Sequence, residues 1–312
     1  MDFSRNNFEF LPNEVYEFLR KSRSNSLGAL FSKIPDEDKT EMMQFVEYIL
    51  EKDFAFLVDE NEIQLFPEID MRWDDPAILT NCIIDFDTEP EDLKDYRSFL
   101  ADLDNYGCEN IQFRIYRGLG LKKLRELLSF LDETAIHRIE IIINFSEHIK
   151  QYLRLLNEFP RINDMVLHSA NTEKIKVKRN GQVFILTKQI VASEQCCGVI
   201  SPKYFNFHQS HFYESHHFNT CLNRKISVDT RGNIKNCPSL KKSYGTIRNS
   251  RISDILSNPE FCKIWSLNKQ QIEDCKVCEF RNVCTDCRAY LEKDTSLKKP
   301  ANCNYNPYGI SN

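Results

Sequence analysis

The residues of this chain whose types and spacing could do chemistry are its thiols. Of twelve cysteines, only Cys82 and Cys108 precede residue 190; the other ten fall between Cys196 and Cys303. Clustered thiols in a reducing compartment point to metal and not to disulfides. The densest run is Cys275-x2-Cys278-x5-Cys284-x2-Cys287, with Cys303 following. Upstream, between Cys221 and Cys237, ISVD and NIKN read as the arms of a β-hairpin turning at Arg231-Gly232. That hairpin would bring Cys221 and Cys237 together at its open end. A C-x2-C turn aims two sulfurs at one metal, and a four-sulfur site needs two more from elsewhere. Seven such thiols suggest two sites, and on ligand chemistry alone tetrahedral zinc and iron–sulfur are both admitted. Cys262, in the helical stretch SNPEFCKIW, reads as a core thiol.

The chain has 312 residues, 41% apolar and 12% aromatic, enough for two or three globular domains. A net charge of −5 and a pI near 5.9 give no general affinity for nucleic acid or for anionic membrane. The sequence holds no apolar run of roughly 18 residues and no signal-peptide pattern in MDFSRNNFEF, so a cytoplasmic protein is expected.

Residues 78–190 alternate between strand and helix patterns. CIIDF (82–86), NIQFRIY (110–116), RIEIIINF (138–145) and INDMVLHS (162–169) read as strands, with helices at 91–107, 122–134 and 147–159. This order predicts right-handed βαβ units on a parallel sheet, forming a partial (β/α) barrel or an open sheet. A hairpin through Asn180-Gly181 follows. The Arg117-Gly118-Leu119-Gly120 loop reads as a tight turn or, less specifically, as an anion cradle at a helix start. Phosphate-loop, nucleophile-elbow and zinc-protease motifs are all missing from the sequence, so no catalytic residue is assigned.

Residues 1–69 read as three helices (from 10, 26 and 36) followed by a hairpin of FAFLV (54–58) and IQLFP (63–67). That is a winged-helix order. Such a module can take an extended peptide by strand addition, with Phe54, Phe56 and Phe66 lining the site; alternatively it simply caps the next domain.

The spacing Cys-x10-Gly-x4-Cys (Cys221, Gly232, Cys237), then Cys-x2-Cys-x5-Cys, a further cysteine and a final Cys303, resembles the SPASM domain. That domain is the auxiliary-cluster module of many peptide-modifying radical SAM enzymes. Cys284 and Cys287 are separated by two residues where the family usually has three. The resemblance implies two 4Fe–4S clusters. Cys275, Cys278, Cys284 and Cys303 would hold one. Cys221, Cys237 and Cys287 would hold the other, with a fourth ligand from Cys196, Cys197, His216 or His217. The radical SAM triad C-x3-C-x2-C is missing: the loop after CIIDF is DTEPEDL. No SAM cleavage is therefore expected.

As a whole, the chain resembles the SPASM-domain peptide maturases of the grasp-with-spasm (graspetide-type) ribosomal peptide systems. FLPNEVYEFL and LFPEIDMRWDDPAILTNCIIDFD also carry the likeness. It implies a winged-helix-like recognition module at 1–69, a degenerate partial barrel at 70–190 and an iron–sulfur domain at 191–312. The partners implied are a precursor (leader) peptide and an ATP-grasp ligase. Two alternatives stand beside this maturation factor: an independent redox enzyme using the auxiliary clusters, and a zinc-stabilised adaptor.

Overall fold

The structure is a computed structural model and describes all residues except 1, 4, 6, 7, 23, 24, 67, 292–296 and 309–312. It divides into two compact units, one of residues 1–72 with 207–210 and one of residues 73–206 with 211–312.

The first unit holds α1 (Asn13–Ser22), α2 (Leu27–Phe31) and α3 (Asp36–Glu51). Pro12 stands directly before α1, and the Ser26 hydroxyl caps α2 by accepting from the Ala29 N–H. Phe18, Leu30 and Val46 form the buried centre, one residue from each helix.

The hairpin expected over 54–67 does not form. Residues 54–59 belong to no strand, and Glu60–Leu65 is a 3-10 turn. Asp59 caps that turn, and the Glu62 carboxylate accepts the Asp59 N–H at 3.1 Å, completing a capping box. A lone two-stranded hairpin is marginal in water, so local capping wins. The winged-helix order loses its wing; Pro67 lies outside the described residues. Phe56 and Phe66 still meet, edge to face at 5.1 Å between ring centroids, and both are exposed, while Phe54 is half-buried.

The second unit is built on a mixed, mostly parallel sheet of eight strands. In chain order they are β1 (Asn81–Phe86), β2 (Asn110–Ile115), β3 (Arg138–Asn144), β4 (Ile162–His168), β5 (Lys174–Val177), β6 (Val183–Leu186), β7 (Lys225–Val228) and β8 (Ile234–Lys235). Their spatial order is β5-β6-β4-β3-β2-β1-β7-β8, an open sheet with β5 and β8 at its edges. β1 to β4 are joined by α4 (Lys94–Asp104), α5 (Leu121–Ser129) and α6 (Ile149–Glu158), as the alternation predicts. β5 and β6 form the hairpin through Gly181, whose φ is +85°. β7 pairs in parallel with β1, so the sheet runs on past residue 190 into the cysteine-rich segment.

Alternation along the strands sets the two faces of the sheet. Ile84, Phe113, Ile141 and Met165 point to one face, where Leu100, Leu124, Leu127 and Leu155 of the helices bury them. Helices α8 (Ile252–Leu256) and α9 (Pro259–Cys262), broken at Asn258-Pro259, add Ile252, Ile255 and Phe261 to the same core. Cys262 packs at its edge. The other face is polar. Asp85 and Arg114 pair bidentately at 2.7 and 2.8 Å, the Tyr116 hydroxyl donates to Asp85 at 2.7 Å, and Gln112 donates to Glu140 at 2.6 Å.

The glycine pair in the 117–120 loop makes a turn. Gly118 has φ +83°, and a Cβ there would stand 2.8 Å from the Thr88 backbone. The Gly120 N–H is already taken by the Glu89 carboxylate at 2.7 Å, so the chain supplies its own anion to this helix start.

Candidate metal centre

The hairpin between Cys221 and Cys237 is β7–β8, with Ser227 opposite Lys235 and Val228 opposite Ile234. Asp229 shapes its turn by accepting from the Arg231 and Asn233 N–H groups, both at 2.9 Å, and Gly232 takes φ +80°. Hydrogen bonds from Asn233 and Lys235 hold the Asp229 carboxyl below its usual range against the burial that would raise it. The hairpin delivers Cys237 and Cys221 to one place: burial pushes the Cys237 thiol up, and the Cys221 charge pushes it further.

Downstream, reverse turns set the thiols. The Cys278 N–H donates to the Cys275 carbonyl at 3.0 Å and the Cys284 N–H to the Phe280 carbonyl at 2.9 Å. Cys275, Cys278, Cys284 and Cys303 line one cavity, with Cys287 also on its wall. Ile200, Phe205, Phe280, Pro300 and Tyr305 supply an apolar wall, in which Phe280 packs against Phe205 and Tyr305 with ring centroids 5.0 and 5.3 Å apart. Burial raises the Cys275 thiol to about 12 and the Cys278 thiol to about 11, with like charge from Cys284 acting on both.

The electrostatic neighbours of the thiols point to two sets, with Cys287 facing both. Cys278 feels Cys284 and Cys303, and Cys275 feels Cys284 and Cys278. Cys287 is raised to about 12, by burial first and then by Cys221, Cys237 and Cys197. Cys197 is thus the upstream thiol that stands with the second group. Cys196 instead points its thiol at the Ile190 carbonyl, 3.6 Å away. His216 uses both ring nitrogens elsewhere, on the Phe212 carbonyl at 2.8 Å and on Asn282 at 3.2 Å, and His217 is exposed.

Several surroundings match a thiolate-held group. Lys225 is the nearest cation: its Nζ lies 3.7 Å from Cys221 Sγ. Burial opposes its charge, and the Cys221, Cys237 and Cys197 sulfurs more than restore it. The hydroxyls of Thr220 and Thr285, next in sequence to Cys221 and Cys284, are buried with no hydrogen-bond partner among the described residues. Gly198, φ +81°, lies against Cys287. Beside the first group, Lys269 and Asp286 form a buried pair at 3.0 Å, and burial lowers the Arg288 guanidinium, with Asp286, Cys275 and Cys287 opposing that shift only in part. Donor set and charges fit anionic metal–thiolate centres. Among the described residues, no three Cys, His, Asp or Glu side chains are grouped tightly enough to hold a single ion.

Sequence reasoning missed Lys225, Gly198 and the preference for Cys197 over its neighbours; the glycine directly after Cys197 was the available signal. Neither the family models nor the curated proteins nor the solved structures contain a match to this chain.

Proposed function

We propose that the chain is a SPASM-type iron–sulfur maturation factor, which binds a ribosomally made precursor peptide and acts with an ATP-grasp ligase. The observation that carries this reading is that Cys275, Cys278, Cys284 and Cys303 line one cavity with Cys287 on its wall, while the β7–β8 hairpin sets Cys221 and Cys237 as a second pair, to which Cys287 and Cys197 would add the remaining thiols. Four thiols in each group are what two 4Fe–4S clusters require. One Zn2+ with sulfurs at ~2.3 Å would hold them only ~3.8 Å apart. Iron and sulfide analysis separates the wider cluster from that tighter zinc site.

When bound, the clusters would supply electron storage and folding energy to the cysteine-rich segment. The chain's own residues do the rest. Thr220 and Thr285 hold hydroxyls ready to donate to sulfur, the Phe280 wall keeps water from the first group, and Gly198 lets the backbone close over Cys287. In the first unit, residues 54–70 carry Phe56, Leu57, Val58, Ile63, Leu65, Phe66 and Ile69 exposed, with five acidic residues and no basic one. An apolar surface of this kind is a docking surface for a peptide. Side-chain pockets around Phe56 and Phe66, and not strand addition, would hold the leader.

The chain lacks a phosphate-cradling loop and a nucleophile–base pair, so bond formation falls to the ligase. The test has two parts. Anaerobically purified protein should carry iron and acid-labile sulfide; stoichiometric zinc without sulfide defeats the cluster reading. A pull-down with ligase and precursor, followed by mass spectrometry, should show binding and loss of one water per ester or amide formed. Full ligase activity unaffected by this protein defeats the partnership.

A further inference from the structure

The second unit holds three lysines near its thiols, two buried and one half-buried, and their partners differ. Lys235 pairs with Asp229 at 2.9 Å and Lys269 with Asp286 at 3.0 Å. Lys225, the first residue of β7, has no carboxylate within ion-pair distance among the described residues; its Nζ instead meets Cys221 Sγ at 3.7 Å. The other cation acting on this group, Arg114, is gripped in both arms by Asp85, so that pair is neutral. Lys225 is half-buried, so a negative neighbour on its ammonium is favourable, and the Cys221 sulfur is the group its Nζ meets.

Resting on the iron–sulfur reading above, we propose that Lys225 tunes the second cluster: a fixed positive charge against the Cys221 sulfur that favours the reduced state. A cluster held by four thiolates is negative, and one-electron reduction adds a further negative charge. A cation donating to one of its sulfurs stabilises the reduced form more than the oxidised one, and hydrogen bonding to sulfur is among the levers that set cluster potentials. Lys225 reaches the sulfur because it follows Cys221 by four positions, and because pairing of Asn81 with Lys225 fixes the start of β7 on β1. It is a positioning residue and touches no substrate.

The test uses the full chain, purified and reconstituted anaerobically, as wild type and as Lys225→Met, Lys225→Gln and Lys225→Arg. Iron and sulfide are counted, and each cluster is titrated with dithionite under EPR detection. In the Met and Gln variants the reduction equilibrium of one cluster should fall at least tenfold, which is 59 mV for one electron. The other cluster should not move, and Arg should restore the wild-type value. Full iron with both potentials unchanged in the neutral variants overturns the proposal. Loss of one cluster in both neutral variants, with retention in Arg, supports it, since charge is then what holds the cluster. A wild-type chain with zinc and no labile sulfide fails the iron–sulfur reading itself and takes the proposal with it.

Discussion

The backbone of Gly198 lies so close to Cys287 that a Cβ on it would stand 2.9 Å from the thiol sulfur. The same atom would stand 2.6 Å from the Tyr290 ring, whose hydroxyl is fixed on the Glu194 carbonyl at 2.8 Å. At φ +81° an L side chain is strained by about 1–2 kcal/mol before any clash. Gly198→Ala should therefore displace Cys287 and lower the metal content of the second group. Metal analysis and a thermal melt on the purified variant check this. Full metal with an unshifted melt would mean that the 197–198 turn is not part of the centre.

The two thiol groups predict a pattern across single substitutions. Cys275→Ser and Cys237→Ser should each remove about half of roughly eight irons per chain, and the double variant nearly all. Cys197→Ser should behave like Cys237→Ser, whereas Cys196→Ser should keep full iron, because its thiol is turned to Ile190. Iron counting and Mössbauer spectra separate the cases. Equal losses from Cys196→Ser and Cys197→Ser would break the assignment of the fourth ligand.

The parallel strands were legible because each carries its alternation in a few adjacent residues, and the helices between them carry the matching period. The expected wing was misread because FAFLV and IQLFP have strand composition, while the Asp59–Glu62 capping box that overrides it is a four-residue signal. Pairing of β7 with β1 was illegible: Ile226 beside Cys82 is a long-range contact that no local pattern encodes. The seven spaced thiols were visible in the sequence, but the choice among Cys196, Cys197, His216 and His217 was not. It turns on which way each side chain faces, and that is set by Ile190, Phe212 and Asn282.

Glu214 gives a pH signature. It sits on α7 (Gln209–His217), accepts from Asn223 at 2.9 Å, and burial raises its carboxyl to about 7. The folded chain thus binds this proton more tightly than the unfolded chain, whose glutamate titrates near ~4.3. Its contribution to stability is fully present at acid pH and is lost as pH rises through about 7. The span corresponds to on the order of 3–4 kcal/mol. Denaturant unfolding of the metal-loaded chain should show stability falling from pH 6 to pH 8. Glu214→Gln should flatten that slope and be the more stable form at pH 8. Parallel slopes in the two proteins would place the carboxyl in solvent.

The end of β1 predicts what the protein does not do. In radical SAM enzymes the loop after the first strand brings three thiolates to one iron, leaving a position open for SAM. Here that loop, 87–93, has no cysteine. Its groups are committed to other partners: Asp87 pairs with Arg117 at 2.6 Å and Glu89 accepts from the Gly120 N–H at 2.7 Å. The strand itself ends on Asp85, tied to Arg114 and Tyr116, which fills the polar face there with neutralised charge. All eight thiols of the two groups lie downstream of residue 190. SAM therefore finds no three-thiolate iron at β1, even when both groups are loaded. Incubation of the iron-loaded protein with SAM and dithionite should give no 5′-deoxyadenosine above a protein-free control, with or without precursor peptide. Multiple turnovers of 5′-deoxyadenosine, abolished by Cys275→Ser or Cys237→Ser, would show that one of the two groups opens an iron to SAM.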